Sequence, residues 1–427
     1  MTRPPNRARA AFRYPNFRYH MIARFLTTTS SEMQAVGVGW QVYALTHRPL
    51  DLGLVGLAQF LPGIFLFLAA GHTADRVPRK RILQCCYAAF SLCSLLLLGL
   101  TLHSLTSIIP VYVALLFNGI VRAFNGPASQ AFLPLIVPEE DFPNAVAWSS
   151  STFQAATILG PIAGGLIYAS TGSAIPVYGC SALAYLMALL AMSAIHIPKI
   201  EKPRTAASAG ALLSGLHYIW NNKLILAAIS LDLFAVLLGG AVALLPVYAR
   251  EILKVGASGL GLLRTAPGIG AVFTAVLVAH WPLRRRAGAA MLWCVFGFGL
   301  STVVFGLSRN VWLSLAALVL AGSCDMVSVI VRHTMIQLGT PDEMRGRVSA
   351  VNMVFIGASN EVGQFESGIT AQWFGTVPAV VLGGAGTIAI VALWAWLFPE
   401  LRRVNRLSAP EPIVRTPRRN GGAERMP

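Results

Sequence analysis

Glu32, Arg122 and Glu361 each stand inside a long apolar run, where a charge has a chemical consequence. An arginine at mid-membrane costs about 2.5–3.5 kcal/mol on insertion scales, so it must face a partner or water. Desolvation disfavours the charge of a buried carboxylate and a nearby guanidinium restores it, so a glutamate beside an arginine can take up and release a proton near neutral pH. That is the chemistry needed to couple a proton gradient to a conformational change. Glu32 is expected to carry the coupling proton with Arg122 setting its affinity, and Glu361 is the reserve. A structural hydrogen-bonding role for Glu32 and a structural ion pair for Arg122 stay open as alternatives.

Other polar residues at the same depth extend this set. Thr28, Ser31 and Glu32 follow the i, i+3, i+4 spacing and form one polar stripe. Asn360 and Gln364 share a helix face with Glu361 beside it, whereas Glu366 points about 140° away from Glu361 and is expected to be an interhelical partner. Asp232 and Asp325 are assigned with these residues to a cavity lining. Arg24 and Arg264 are further cations at membrane depth, and Arg332 and His333 are expected to snorkel to the interface.

The elements that must position these side chains are membrane helices. The chain is 55% hydrophobic and only 12% charged, with a mean hydropathy of +0.64, too little polar surface to cover a soluble globule of 427 residues. About twelve runs reach the ~20 apolar residues that span a bilayer. Their centres fall near Ser31, Leu61, Ser91, Ile120, Ala156, Tyr185, Val236, Ile269, Gly299, Asp325, Ser359 and Ile388. The basic start runs into a full-length first span without a cleavage site, so no signal peptide is expected. Cys85, Cys86, Cys93, Cys180, Cys294 and Cys324 all fall in apolar runs without metal-ligand grouping.

The net charge of +16 raises nucleic-acid binding, and its distribution argues against it. Of the 33 Lys and Arg residues, 25 fall in tails and loops assigned to one side, against Arg48, Arg250, Lys254 and Arg309 on the other. This positive-inside bias puts both termini in the cytoplasm. The Pro- and Arg-rich ends are expected to be disordered and to touch anionic lipid headgroups.

The chain also repeats. At an offset of about 205, Val42-Tyr43-Ala44 falls on Val247-Tyr248-Ala249, and Pro62-Gly63-Ile64 on Pro267-Gly268-Ile269. A duplicated six-helix unit is implied, the arrangement of transporters whose halves rock about a central site. The expected organisation is a basic tail at 1–16, a six-helix half at 17–196, a cytoplasmic linker at 197–222, a second half at 223–399 and a basic tail at 400–427. Within the linker, Gly215 to Trp220 suggests a short interfacial helix.

Three motifs follow in order. Gly71 to Arg81 reads as a charged loop suited to a gate, with Asp75 the single acid among Arg76, Arg79, Lys80 and Arg81, and with Gly71 allowing helix ends to approach. Asp75 is expected to pair with a neighbouring cation and to cap the helix that begins near Pro341. Arg122-Ala-Phe-Asn125-Gly126-Pro-Ala128 lies in helix 4. Ala156, Gly160 and Gly164 lie four apart on helix 5, with Pro161 and Gly165 beside them, permitting close packing and a bend.

Together these stretches, from Phe17 to about Pro399, resemble the major facilitator superfamily. Pro78 stands where its loop signature has a second glycine, Asn125 where its helix 4 pattern has glutamine, and Ala156 where drug exporters have glycine. Pro341 to Ser349 resembles the branch of enterobactin-type exporters and macrolide efflux proteins. The resemblance implies an all-α membrane protein of twelve transmembrane helices in two pseudo-symmetric halves. It also implies a monomer in the inner membrane that exports a bulky amphipathic small molecule in exchange for protons. A lysophospholipid transporter is the runner-up, followed by a nutrient importer or a passive channel. No His-Glu-x-x-His or Gly-x-Ser-x-Gly motif points to an enzyme, and no cofactor or metal is expected.

Overall fold

A computed structural model describes residues 7–103, 107–196, 209–281 and 286–404, and among them every regular element is helical. The expected tails before Arg7 and after Val404, residues 197–208 of the linker, and Arg284 and Arg285 lie outside the described residues. So do the side chains of Asp75, Asp342 and Glu343, and with them the expected pairing and capping by Asp75.

The helices in the first part of the chain are α1 (Pro15–Thr46), α2 (Pro49–Arg76), α3 (Arg79–Leu102), α4 (Ile109–Gln130), α5 (Phe142–Thr171) and α6 (Ile175–Ser193). A peripheral helix α7 (Ala209–Asn221) leads into α8 (Lys223–Gly239), which breaks at Gly240 and continues through the short α9 (Leu245–Val247) into a π-helical turn Tyr248–Ile252. Then come α10 (Gly256–His280), α11 (Ala287–Leu307), α12 (Val311–Gly339), α13 (Asp342–Phe374), α14 (Thr376–Leu397) and the short α15 (Pro399–Arg403).

Local chemistry explains where these helices start and stop. Helices α1, α2, α4, α5 and α6 each begin with a proline in the first two positions, where a missing N–H costs nothing and φ is already helical. Asn310 accepts from the amide of Trp312 at 2.9 Å and caps α12, and Gly172, with φ of 66°, closes α5.

Among the described residues, ten stretches are long and apolar enough to cross a membrane. The two remaining long helices, α1 and α13, have 32 and 33 residues and a lower hydropathy because they carry Glu32, Asn360, Glu361, Gln364 and their polar neighbours. The packing repeats at the sequence offset. α1 packs on α5 and α6, α2 on α4, and α3 on α4 and α6; likewise α8 packs on α13 and α14, α10 on α12, and α11 on α12 and α14. The two sets meet where α5 packs on α10 and α2 on α13.

Glycines set the closest crossings. A Cβ at Gly119 would lie 2.4 Å from the Gln59 carbonyl, and one at Gly322 2.0 Å from the Pro267 carbonyl, so α4 on α2 and α12 on α10 approach backbone to backbone. Gly322→Leu should therefore drive α10 and α12 apart, lowering stability by about 1–3 kcal/mol or preventing folding. Monodisperse protein with wild-type melting on size exclusion would contradict that contact.

Three expectations need correction here. The stretch Gly71 to Arg81 is not a loop: α2 runs to Arg76, Val77 and Pro78 make the turn, and α3 starts at Arg79. A Cβ at Gly71 would meet no atom within 4 Å, so no helix end packs against it in this conformation. The two ends are also less irregular than expected. Arg7–Arg13 forms a 3-10 helix that packs on α5, and Arg402 and Arg403 belong to α15. The interfacial helix is longer than Gly215 to Trp220, and it exposes Trp220.

Candidate functional site: a polar cavity crossed by two ion pairs

A cavity of about 370 Å³ lies between α1, α2 and α4 on one side and the α8–α9 break, α10 and α13 on the other. Helical spacing brings its polar side chains together. Ser31 and Glu32 come from α1, Gln59 from α2, Asn118 and Arg122 from α4, Arg264 from α10, and Asn360, Glu361 and Gln364 from α13. Each of these helices turns its remaining faces to apolar neighbours, which is why a few polar residues per helix converge on one space.

Two ion pairs cross this cavity. Arg122 Nη1 on α4 lies 3.6 Å from Glu361 Oε1 on α13, and Arg264 Nη2 on α10 lies 4.0 Å from Glu32 Oε2 on α1. Each pair joins a helix of the α1–α6 set to one of the α8–α14 set. Arg122 also donates to Gln59 Oε1 at 3.1 Å, and Gln364 donates to Glu361 Oε2 at 3.1 Å. The pairs are long and partly wet, with 48% of the Arg122 side chain and 32% of the Glu32 side chain accessible, so they are easily exchanged for other partners.

The two ends of the cavity differ. The largest buried apolar cluster draws on both helix sets and includes Val42, Tyr43, Leu244, Tyr248, Leu260 and Phe305, whereas the other three clusters each stay within one set. At this Tyr43 end, Tyr43 donates from its hydroxyl to Glu251 Oε1, and the Arg250 guanidinium lies 6.0 Å from the Trp40 ring. Gly53 meets Gly368 and Gly165 meets Gly261 backbone to backbone. Toward the α2–α3 turn, Gln130 donates to the Met353 sulfur at 3.3 Å with both side chains exposed, and Cβ atoms at Gly126 and Gly357 would meet nothing within 4 Å. The two sets are thus sealed at the Tyr43 end and loosely joined at the other.

The other expected site residues are distributed as follows. Gly160 and Gly164 of α5 lie against Thr29, Glu32 and Met33 of α1, and Gly165 and the Pro161 carbonyl lie against Gly261 of α10. Thr28 is not among the cavity-lining residues. Asp232 is corrected from a cavity residue to one buried in the α8–α12 contact, where Arg332 donates to it; Arg332 is 2% exposed and does not snorkel. Asp325 sits on α12 beside Cys324, away from the cavity. Glu366 accepts from Thr370 on its own helix at 2.8 Å, a contact within α13. Arg24 lies 5.5 Å from the Phe153 ring. The expected Glu32–Arg122 pair is replaced by the two crossed pairs.

A family model described as transmembrane secretion effector matches residues 7–417. The chain belongs to this family of the major facilitator superfamily. The enterobactin exporter EntS of Shigella boydii serotype 4 (strain Sb227) is 27% identical over 397 residues, which span 91% of this chain and 93% of that protein. EntS of Escherichia coli (strain SMS-3-5) gives the same values. Among solved structures, the nucleoside transporter NupG superposes with a TM-score of 0.70 at 13% identity, covering 90% of this chain and 99% of NupG. A bacterial homologue of the lysosomal transporter Spinster, inward-facing and occupied, gives 0.70 at 12% identity, covering 90% and 97%. These likenesses show the fold. The chain is a multi-pass membrane transporter related to exporters.

Among the cavity residues, Gln59, Asn118 and Arg264 are ones that sequence reasoning did not select. Arg264 was visible as a cation at membrane depth, but its partner lies more than 200 residues away. Glu251 was not marked and Tyr43 was noted only as part of the repeat, because an acid in a short loop carries no signal until the π-helical turn aims it at α1. Tyr43→Phe should loosen this end, raising the labelling of Val38→Cys by a membrane-impermeant thiol reagent several-fold when the reagent is added from the Tyr43 side. Unchanged labelling would show that the hydroxyl does not help to hold that end shut.

Proposed function

We propose that this protein is a proton-coupled exporter of a bulky amphipathic small molecule, of the siderophore or drug type, working by alternating access. The carrying observation is the pair of crossed ion pairs, Arg122–Glu361 and Arg264–Glu32, in a cavity sealed at the Tyr43 end. In this reading α1 and α13 also span the bilayer, giving twelve spans in two halves, and the repeated packing of the two helix sets supports that layout. In the same reading both termini are cytoplasmic, which the positive-inside bias of the loops supports, and the loosely joined end faces the cytoplasm.

The mechanism follows from the cavity. Substrate enters from the cytoplasm and breaks the ion pairs by competing for one side of them, an anionic group for Arg122 and Arg264 or a cationic group for Glu361 and Glu32. Separation of the halves at the Tyr43 end then exposes the site to the outside. Protonation of Glu361 or Glu32 from that side weakens the hold of the glutamates on the arginines and lets the substrate-free cavity return to the cytoplasmic side, where the proton leaves and the ion pairs re-form. The charged residues on either side of the α2–α3 turn, Asp75, Arg76, Arg79 and Lys80, close the cytoplasmic end in the alternate state. In this reading the protein works as a monomer.

The test is accumulation of a catecholate siderophore and of a cationic amphipathic dye in inverted vesicles with an imposed pH gradient. Accumulation above the external concentration, abolished by a protonophore, is expected for at least one of the two. Equilibration without accumulation would instead mean a passive channel.

A further inference from the structure

We propose that the groove formed by the end of α2, α3 and α4 binds an anionic phospholipid, its phosphate on Arg81 and one acyl chain running over Cys85, Ala89 and Phe124. The groove has a volume of about 410 Å³ and is lined, besides Arg81, by apolar and thiol side chains and by Thr73, whose hydroxyl is bonded to the Ala69 carbonyl. That is the size of an ordinary small-ligand pocket. It opens away from the transport cavity. Arg122 lines that cavity, while Ile120 and Phe124 line the groove, two residues to either side and about 200° around α4. The groove therefore faces the outside of the bundle, where the membrane itself supplies the occupant.

The cations of the α2–α3 turn divide by use. Arg79 Nη1 donates to the Ala131 carbonyl at 2.7 Å, and Lys80 Nζ donates to the carbonyls of Ser193 at 3.0 Å and Ile195 at 2.5 Å. Arg79 thus ties the start of α3 to the end of α4, and Lys80 ties it to the end of α6. The Arg81 guanidinium is not used in this way. It is exposed, and among the described residues no side-chain hydrogen bond or ion pair involves it. Arg81 is in the first turn of α3 and belongs to the groove's lining, so its side chain is near the level of the helix ends, where a headgroup phosphate lies. From Arg81 to Ala89 the groove follows α3 for about 12 Å, room for a stretch of acyl chain. A guanidinium recognises a phosphate by charge-assisted hydrogen bonds, and its unneutralised charge favours a lipid with net negative charge over a zwitterionic one. Cation and apolar groove together select a lipid; the groove alone would take only a chain, and the cation alone only a phosphate.

The experiment uses the full chain in phosphatidylcholine nanodiscs doped with phosphatidylglycerol that carries a diazirine in one acyl chain. After illumination, adducts are mapped by peptide mass spectrometry. Adducts on Cys85, Ala89 and Phe124 are expected to fall several-fold when excess unlabelled phosphatidylglycerol is added, and to be unchanged by excess phosphatidylcholine or by inorganic phosphate. Arg81→Gln should cause the same fall, Arg81→Lys should keep most of the adducts, and Ala89→Trp should remove them by filling the groove. Competition by phosphatidylcholine as strong as by phosphatidylglycerol would overturn the proposal, as would loss of adducts with inorganic phosphate or full labelling of Arg81→Gln. The competition arms use wild-type protein, so the outcome does not depend on a variant folding.

Discussion

Arg332→Leu should destabilise the folded chain by roughly 3–5 kcal/mol, because it leaves Asp232 as an unpaired charge in an apolar helix contact. The two side chains are 3% and 7% accessible, and they join α12 to α8 with no other acid or base in the pair. Arg332 Nε already lacks a partner, so the guanidinium is held by this carboxylate alone. Asp232→Leu should cost about as much for the complementary reason. The double replacement should recover most of the loss, since exchanging a whole buried pair for apolar side chains is often close to neutral. Melting temperatures in detergent, followed by tryptophan fluorescence, read all three. A double variant as unstable as the sum of the singles would mean that the two residues act separately.

The second large effect is on transport. Glu361→Gln should lower gradient-driven accumulation by about ten-fold or more while leaving exchange of labelled for unlabelled substrate close to wild type. Glutamine keeps the shape of Glu361 and its contact with Gln364, and it removes only the charge facing Arg122 and the ability to carry a proton. Exchange needs the cavity to change sides with substrate bound; net export also needs the proton step. Glu32→Gln tests the second pair in the same way, with Arg264 as the guanidinium left behind. If Glu32→Gln loses accumulation and Glu361→Gln keeps it, the proton site belongs to α1.

Much of this architecture could be read from the sequence, and the part that could not has physical reasons. Apolar runs of bilayer length locate helices well, because a helix is the only way to satisfy a backbone in lipid without neighbours. The repeat of Pro62-Gly63-Ile64 at Pro267-Gly268-Ile269 placed α2 and α10 in equivalent positions, and both carry their proline inside the helix. Side-chain partners were less legible. Arg332 looked like a residue at a helix end, but α12 continues seven residues further to Gly339, about 10 Å, which puts the guanidinium too deep to reach water. Glu32 and Arg122 are both in the first half and looked like partners, yet each pairs across the cavity with the other helix set. Periodicity gives the face of a helix; it does not give which distant helix that face meets. The α2–α3 turn misled differently, since charged residues at helix ends were read as loop although Arg79 and Lys80 hold neighbouring helix ends from within α3.

The most direct test of a proton-coupled exporter is to watch the protons. Purified protein is reconstituted in liposomes with a pH-sensitive dye inside, and only molecules whose cytoplasmic end faces outward are kept active. Adding transported substrate outside, with no gradient imposed, should raise the luminal pH as substrate enters and protons leave. In Glu361→Gln the same substrate should exchange without moving the dye signal. Substrate entry into wild-type liposomes with a flat luminal pH would contradict the account.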